Sequence, residues 1–105
     1  MSLALIYVTC PNEAEAQKIA RHLLDVRLVA CANIFPIQSI YEWQGEVCAE
    51  GEAVLLLKTR PELWEAVQAA VEKIHPYQVP CILKIEAAAN AAYENWVEEQ
   101  TVEYF

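Results

Sequence analysis

Three side chains in this 105-residue sequence combine reactive chemistry with positions that could bring them together: Cys10, His75 and Cys81. Two thiols and an imidazole form a sulfur- and nitrogen-rich donor set, suited to a soft or borderline metal such as copper or zinc. Cys10 closes the first apolar run, Cys81 opens the last, and His75 stands six positions before Cys81. If those two runs are antiparallel neighbours in one sheet, the end of the first lies beside the start of the last. The three residues then meet at one sheet end. The competing reading is structural: two buried thiols, and a histidine at the C-terminal end of its own helix, where the helix dipole favours it.

A second group points to binding rather than catalysis. Lys58 ends an otherwise apolar run, where its charge needs a carboxylate, an anionic ligand or solvent at the sheet edge. With Trp43 and Tyr77 it makes a candidate cleft between subunits for a small regulatory ligand, a purely structural trimer scaffold being the further alternative. Tyr41, Trp64, Tyr93 and Trp96 add to an aromatic supply that serves core and interface as readily as a pocket. His22, beside Arg21, falls toward the polar side of a helix and is read as a surface residue.

Several reaction classes are excluded. With only 2 glycines the chain holds no Walker loop and no dinucleotide fingerprint. It has no H-E-x-x-H and no G-x-S-x-G, and its two serines, Ser2 and Ser39, lie near no histidine in sequence. No enzymatic activity is expected. Cys10, Cys31, Cys48 and Cys81 form no C-x-x-C pair, so zinc-ribbon and iron–sulfur spacings are absent. Reduced thiols packed as small hydrophobes are the expectation for them.

The net charge of −8, with its few cations scattered, disfavours nucleic acid and anionic membrane surfaces as partners. Hydrophobic residues make up 56% of the chain, above the roughly 45–50% usual for soluble domains. The surplus predicts self-association. No apolar run approaches the roughly 18–20 residues of a membrane-spanning helix. The first residues lack the basic region of a signal peptide and continue into a core strand, so a cytoplasmic location is expected.

Positioning falls to elements that local signals mark out. The run 3–9 reads as a strand buried on both faces. Asn12, with Glu15 three residues on, caps a helix over 13–25 with Ala16, Ile19, Ala20, Leu23 and Leu24 inward. Residues 30–45 read as one long strand in which Pro36 marks a bulge, kink or edge, and Gly45 turns it back into a partner strand over 46–58. Gly51 is a second candidate bulge. Thr59, Pro61 and Glu62 start a helix running to about residue 75, with Leu63, Val67, Ala70, Val71 and Ile74 inward. After a two-proline connector, 81–86 is the fourth strand, and Asn90 caps a last helix over 91–100. Residues 101–105 are a tail or a brief strand.

This order predicts one domain over 1–105 of the α+β class: a ferredoxin-like split βαβ sandwich, βαββαβ plus a C-terminal helix, with a long hairpin between its second and third strands. One sheet face and the overhanging hairpin are left bare, which predicts subunit association.

Five segments, Ala30-Cys31-Ala32-Asn33-Ile34-Phe35-Pro36, Ser39-Ile40-Tyr41-Glu42-Trp43-Gln44-Gly45, Leu55-Leu56-Leu57-Lys58-Thr59, His75-Pro76-Tyr77-Gln78-Val79-Pro80 and Tyr93-Glu94-Asn95-Trp96, stand in the order and spacing of the CutA divalent-cation tolerance proteins. The chain resembles that family over nearly its whole length. The resemblance implies a homotrimer built through the long hairpin strands and similar to PII signal-transduction trimers, with Phe35, Pro36, Ile40, Tyr41 and Trp43 as interface candidates. It implies copper tolerance and copper binding in bacteria, anchoring of a membrane-bound esterase in animals, and no established reaction. Cys10 and His75 match copper-ligand candidates of bacterial relatives. Ile74 stands where some relatives carry a second histidine, and Cys81 where a glutamate is common, a change that favours a softer ion such as copper(I).

Overall fold

Burial along the first strand, β1 (Leu3–Cys10), alternates beyond its first two residues: Ala4, Ile6, Val8 and Cys10 are buried, while Leu5, Tyr7 and Thr9 are half-buried. Alternation puts the first set on one sheet face and the second on the other. The computed structural model describes residues 2–102. After β1 come α1 (Glu13–Asp25), β2 (Cys31–Trp43), β3 (Glu46–Thr59), a 3-10 turn (Pro61–Leu63), α2 (Trp64–Ile74), β4 (Ile82–Ala87) and α3 (Ala91–Gln100). The strands pair antiparallel in the order β2-β3-β1-β4, the ferredoxin-like arrangement of an α+β sandwich.

The core fills the space between one sheet face and helices α1 and α2. Ile6, Val8, Leu55 and Leu57 meet Ile19 and Leu23 from α1 and Val67 and Val71 from α2. Leu24, expected inward, is 41% exposed, because the stripe of α1 that meets the sheet is filled by Ala16, Ile19, Ala20 and Leu23. The opposite face is covered at one end only. There Val97 and Tyr93 of α3 pack with Leu3 and Ala30. The rest of that face carries Leu83, Ile85 and Phe35, 51%, 46% and 41% exposed.

The β2-β3 ladder runs unbroken from Cys31 opposite Lys58 to Trp43 opposite Glu46. Gly51 is therefore no bulge; it pairs in register with Gln38. Pro36 is accommodated because β2 is an edge strand. Gln44 and Gly45 close the hairpin with φ of 51° and 83°, the two positive values of a type I′ turn. Since β1 pairs with β3 only as far as Ala53, residues 37–43 and 46–52 project past the sheet. At about 3.4 Å per residue the projection is roughly 24 Å long.

Caps follow the local signals at α1, where Asn12 Oδ1 accepts the Glu15 N–H at 2.9 Å. Elsewhere tertiary partners win. Thr59 caps nothing; its buried hydroxyl donates to the Leu28 carbonyl at 2.6 Å, and the helix opens through the 3-10 turn at Pro61. The Asn90 side chain makes no cap bond, and Glu94 Oε1 instead accepts the Ala89 N–H at 3.3 Å. β4 begins at Ile82, one residue beyond Cys81. Thr101 and Val102 are not in a strand, and 103–105 lie outside the described residues.

Candidate functional site

The chemistry-bearing residues gather at the sheet end where β1 finishes, around Thr9. His75, at the C-terminal end of α2, is buried and uses both ring nitrogens: Nε2 meets the Thr9 carbonyl at 2.8 Å, and Nδ1 accepts the Tyr77 N–H at 3.1 Å. A carbonyl can only accept, so Nε2 carries the proton. Pro76 bars the helix from continuing, which leaves residues 75–80 free to turn back over the sheet edge.

Cys10 is fully buried within the helix-side core. Burial, then the charges of Glu15 and Glu52, push its thiol up to about 11. Cys81 lies across the sheet from it, in a cavity of about 300 Å³ that also meets Thr9, Tyr41, Trp43, Glu52 and Tyr77. Burial raises the Cys81 thiol as well, against a lowering hydrogen bond from Thr9. Cys10, His75 and Cys81 thus share one sheet end, with Cys10 and Cys81 on opposite faces. Among the described residues no group of three or more His, Cys, Asp and Glu side chains is placed to hold a metal ion. In this arrangement the trio is not set as a copper or zinc centre, since both ring nitrogens of the histidine are engaged and the two thiols lie on opposite sheet faces.

The cavity is built by the hairpin and the 75–80 connector. The ladder sets Trp43 opposite Glu46 and Ile37 opposite Glu52, and alternation then turns Tyr41, Trp43 and Glu52 to one face. Tyr77 Oη donates to Glu52 Oε2 at 2.6 Å, and Tyr41 Oη donates to Glu50 Oε1. The hydrogen bond to Glu50 raises the Tyr41 hydroxyl to about 12. Burial, then the bond to Glu52, raises that of Tyr77 further. Both rings are therefore neutral phenols near pH 7. Gln78 and Val79 complete the lining, and among the described residues no Lys, Arg or His side chain belongs to it.

Of the residues read as a ligand cleft, the structure brings Trp43 and Tyr77 together and leaves Lys58 elsewhere. Lys58 stands opposite Leu5 and Cys31, roughly 40 Å along β3 from Glu46 at about 3.4 Å per residue. Its Nζ lies 5.6 Å from the centroid of the Tyr93 ring on α3. Glu52, Thr9 and Gln78 escaped the sequence reading. Glu52 was within reach of it: once Gly45 fixes the turn, counting back along the ladder puts it on the face of Trp43.

An α+β ferredoxin-like fold with an overlong β2-β3 hairpin and a polar-aromatic cavity at its base defines the class. Residues 4–100 match the family described as CutA1 divalent ion tolerance protein. The chain is 36% identical over 100 residues to the divalent-cation tolerance protein CutA of Pyrococcus horikoshii, covering 94% of this chain and 98% of that one. It is 38% identical over 102 residues to mouse protein CutA, covering 95% of this chain and 58% of the longer mouse protein. The crystal structure of CutA1 from Oryza sativa superposes with a TM-score of 0.94 at 33% identity, covering 99% of this chain and 97% of that one. The chain belongs to the CutA1 divalent ion tolerance family. No helix among its described residues is long and apolar enough to cross a membrane.

Proposed function

We propose that this chain is a single domain that serves divalent-cation tolerance as a cytoplasmic, PII-like homotrimer. The observation that carries the reading is apolar surface left uncovered by one chain. Leu83, Ile85 and Phe35 are 51%, 46% and 41% exposed on the sheet face, and Ile40 and Val47 are 77% and 73% exposed on the projecting hairpin. Patches of this kind on a soluble domain mark protein contacts. Phe35, Pro36, Ile40, Tyr41 and Trp43 all lie exposed on β2, available to such an interface. Native mass spectrometry tests the assembly, with a trimer expected and a monomer overturning it. Growth of a strain lacking the gene, challenged with copper or zinc and complemented by this chain, tests the tolerance role.

A copper or zinc centre at Cys10, His75 and Cys81 is the second reading. It is favoured by the meeting of His75 and Cys81 at Thr9, next to Cys10. It requires His75 to release at least one of its two backbone partners. Titration with copper(I) or zinc, repeated on Cys10→Ser and His75→Ala, decides it: loss of affinity in both variants supports the centre, and unchanged affinity in both removes it.

A further inference from the structure

Helix α3 is short and thinly anchored by apolar contact. Val97 is its only fully buried apolar residue, and with Tyr93 it packs on Leu3 and Ala30 in a cluster separate from the core under α1 and α2. A helix of 10 residues is marginal in water without further support.

That support lies at its C-terminal end. The last four carbonyls of a helix have no partner inside it, and here each is taken by a side chain. The Thr101 hydroxyl donates to the Val97 carbonyl at 2.9 Å. Arg60 Nη2 donates to the Glu98 carbonyl at 2.6 Å, Arg27 Nη2 to that of Glu99 at 2.9 Å, and Arg27 Nε to that of Gln100 at 3.3 Å. Arg60 Nε also donates to the Thr101 hydroxyl at 2.8 Å, and the Arg27 carbonyl accepts the Val102 N–H at 2.9 Å. Two guanidinium groups therefore sit at the negative end of the helix dipole, bonded more strongly than neutral donors would be.

Neither arginine belongs to α3. Arg27 comes from the turn after α1, and Arg60 joins β3 to the 3-10 turn ahead of α2. Arg27 has a φ of 60°, a left-handed backbone that glycine adopts freely and a larger residue resists. Glycine would ease that turn but would leave the Glu99 and Gln100 carbonyls without their donors. The opposite end of α3 is held lightly, by the Ala89 N–H on Glu94 Oε1 at 3.3 Å.

We propose that α3 is a latched cover that opens as one unit about the 88–90 link, with the sandwich intact, and that Arg27 and Arg60 are its latch. Closed, it shields Leu3, Ala30 and Lys58, whose Nζ lies 5.6 Å from the Tyr93 ring centroid. Open, it adds Leu3 and Ala30 to the bare sheet face and enlarges the apolar surface offered there. The latch bonds are all made within one chain, at the end of β3 away from the hairpin.

Hydrogen exchange of the full chain, read by NMR, tests the latch. In the wild type, amides of 95–100 are expected to be at least about tenfold less protected than those of Ile6, Val8 and Leu55, and to respond less steeply to urea, because a local opening bares less surface than global unfolding. Arg27→Asn suits the left-handed backbone and removes the guanidinium, and Arg60→Gln removes the other. Each is expected to lower the protection of α3 by a further factor of about ten or more, as the loss of a charged hydrogen bond implies, and to leave β1 and β3 unchanged. Equal protection of α3 and β1 in the wild type overturns the proposal without any variant. So does a variant that lowers α3 and β1 together, or one that leaves α3 as it was.

Discussion

His75 is the side chain on which the end of β1, α2 and the 75–80 connector depend at once. Its ring joins the Thr9 carbonyl at 2.8 Å and the Tyr77 N–H at 3.1 Å, and it is itself buried. Removing the ring in His75→Ala strands both backbone groups, and a buried group left unpaired costs about 1–3 kcal/mol. Urea unfolding is expected to show a lower midpoint at unchanged slope, while an unchanged midpoint would mean that water replaces the ring without loss. Cys10 gives a pH-dependent prediction. Its thiol rises from an ordinary 9.0 to about 11 on folding, so the folded chain holds that proton more tightly than the unfolded one. The contribution to stability is complete below pH 9 and is lost as pH climbs toward about 11. Comparing urea midpoints of the wild type and Cys10→Ala from pH 8 to pH 11 isolates it: the wild type is expected to fall more steeply. Parallel curves would contradict the raised value. The identities of His75 and Cys10 were legible in the sequence as chemistry. Their satisfaction was not, because the partner of His75 lies 66 residues away in the chain.

At the scale of elements, what could be read ahead was whatever local signals decide. Asn12 and Glu15 mark the start of α1 and do cap it, and the turn at Gly45 sets the whole hairpin register. Thr59 misled, since its hydroxyl reaches the Leu28 carbonyl across the fold and not the next turn of its own chain. Gly51 misled for a related reason: a strand glycine signals a bulge only when the ladder slips, and here the register holds on both sides of it. The two glycines therefore predict opposite outcomes on mutation to alanine. Gly45, at φ +83°, forces a Cβ into the left-handed region, so Gly45→Ala is expected to destabilise by roughly 1–2 kcal/mol. At Gly51 an added Cβ meets no atom within 4 Å and the backbone is not left-handed. Gly51→Ala is expected to stabilise by about 0.4–1 kcal/mol, mainly by restricting the unfolded chain. Thermal unfolding of both variants, with oligomer mass checked, reads the two signs. The same sign in both would show that the register around residue 51 is not the one described.

For the whole molecule the decisive feature is that uncovered apolar groups lie on both sides of one ribbon. Ile40 and Val47, 77% and 73% exposed, occupy one side of the projecting hairpin, while Tyr41 and Trp43, 40% and 43% exposed, occupy the other together with the open sheet face. A two-fold pair presents one self-complementary patch and covers one side. A closed ring gives every hairpin two neighbours and covers both. Edge strand β2, which offers unpaired backbone groups along its outer side, adds a reason to close such a ring. The argument predicts that charges on either side are disruptive. Leu83→Glu with Ile85→Glu, on the sheet face, and Ile40→Glu with Val47→Glu, on the far side of the hairpin, are each expected to release folded monomers. The wild type is expected to sediment at three times the 11.9 kDa of one chain. Both pairs spare the helix-side core, so circular dichroism should retain the mixed helix and strand signal. If the sheet-face pair dissociates the assembly and the hairpin pair does not, only one side of the ribbon is covered. In that case a two-fold dimer replaces the ring.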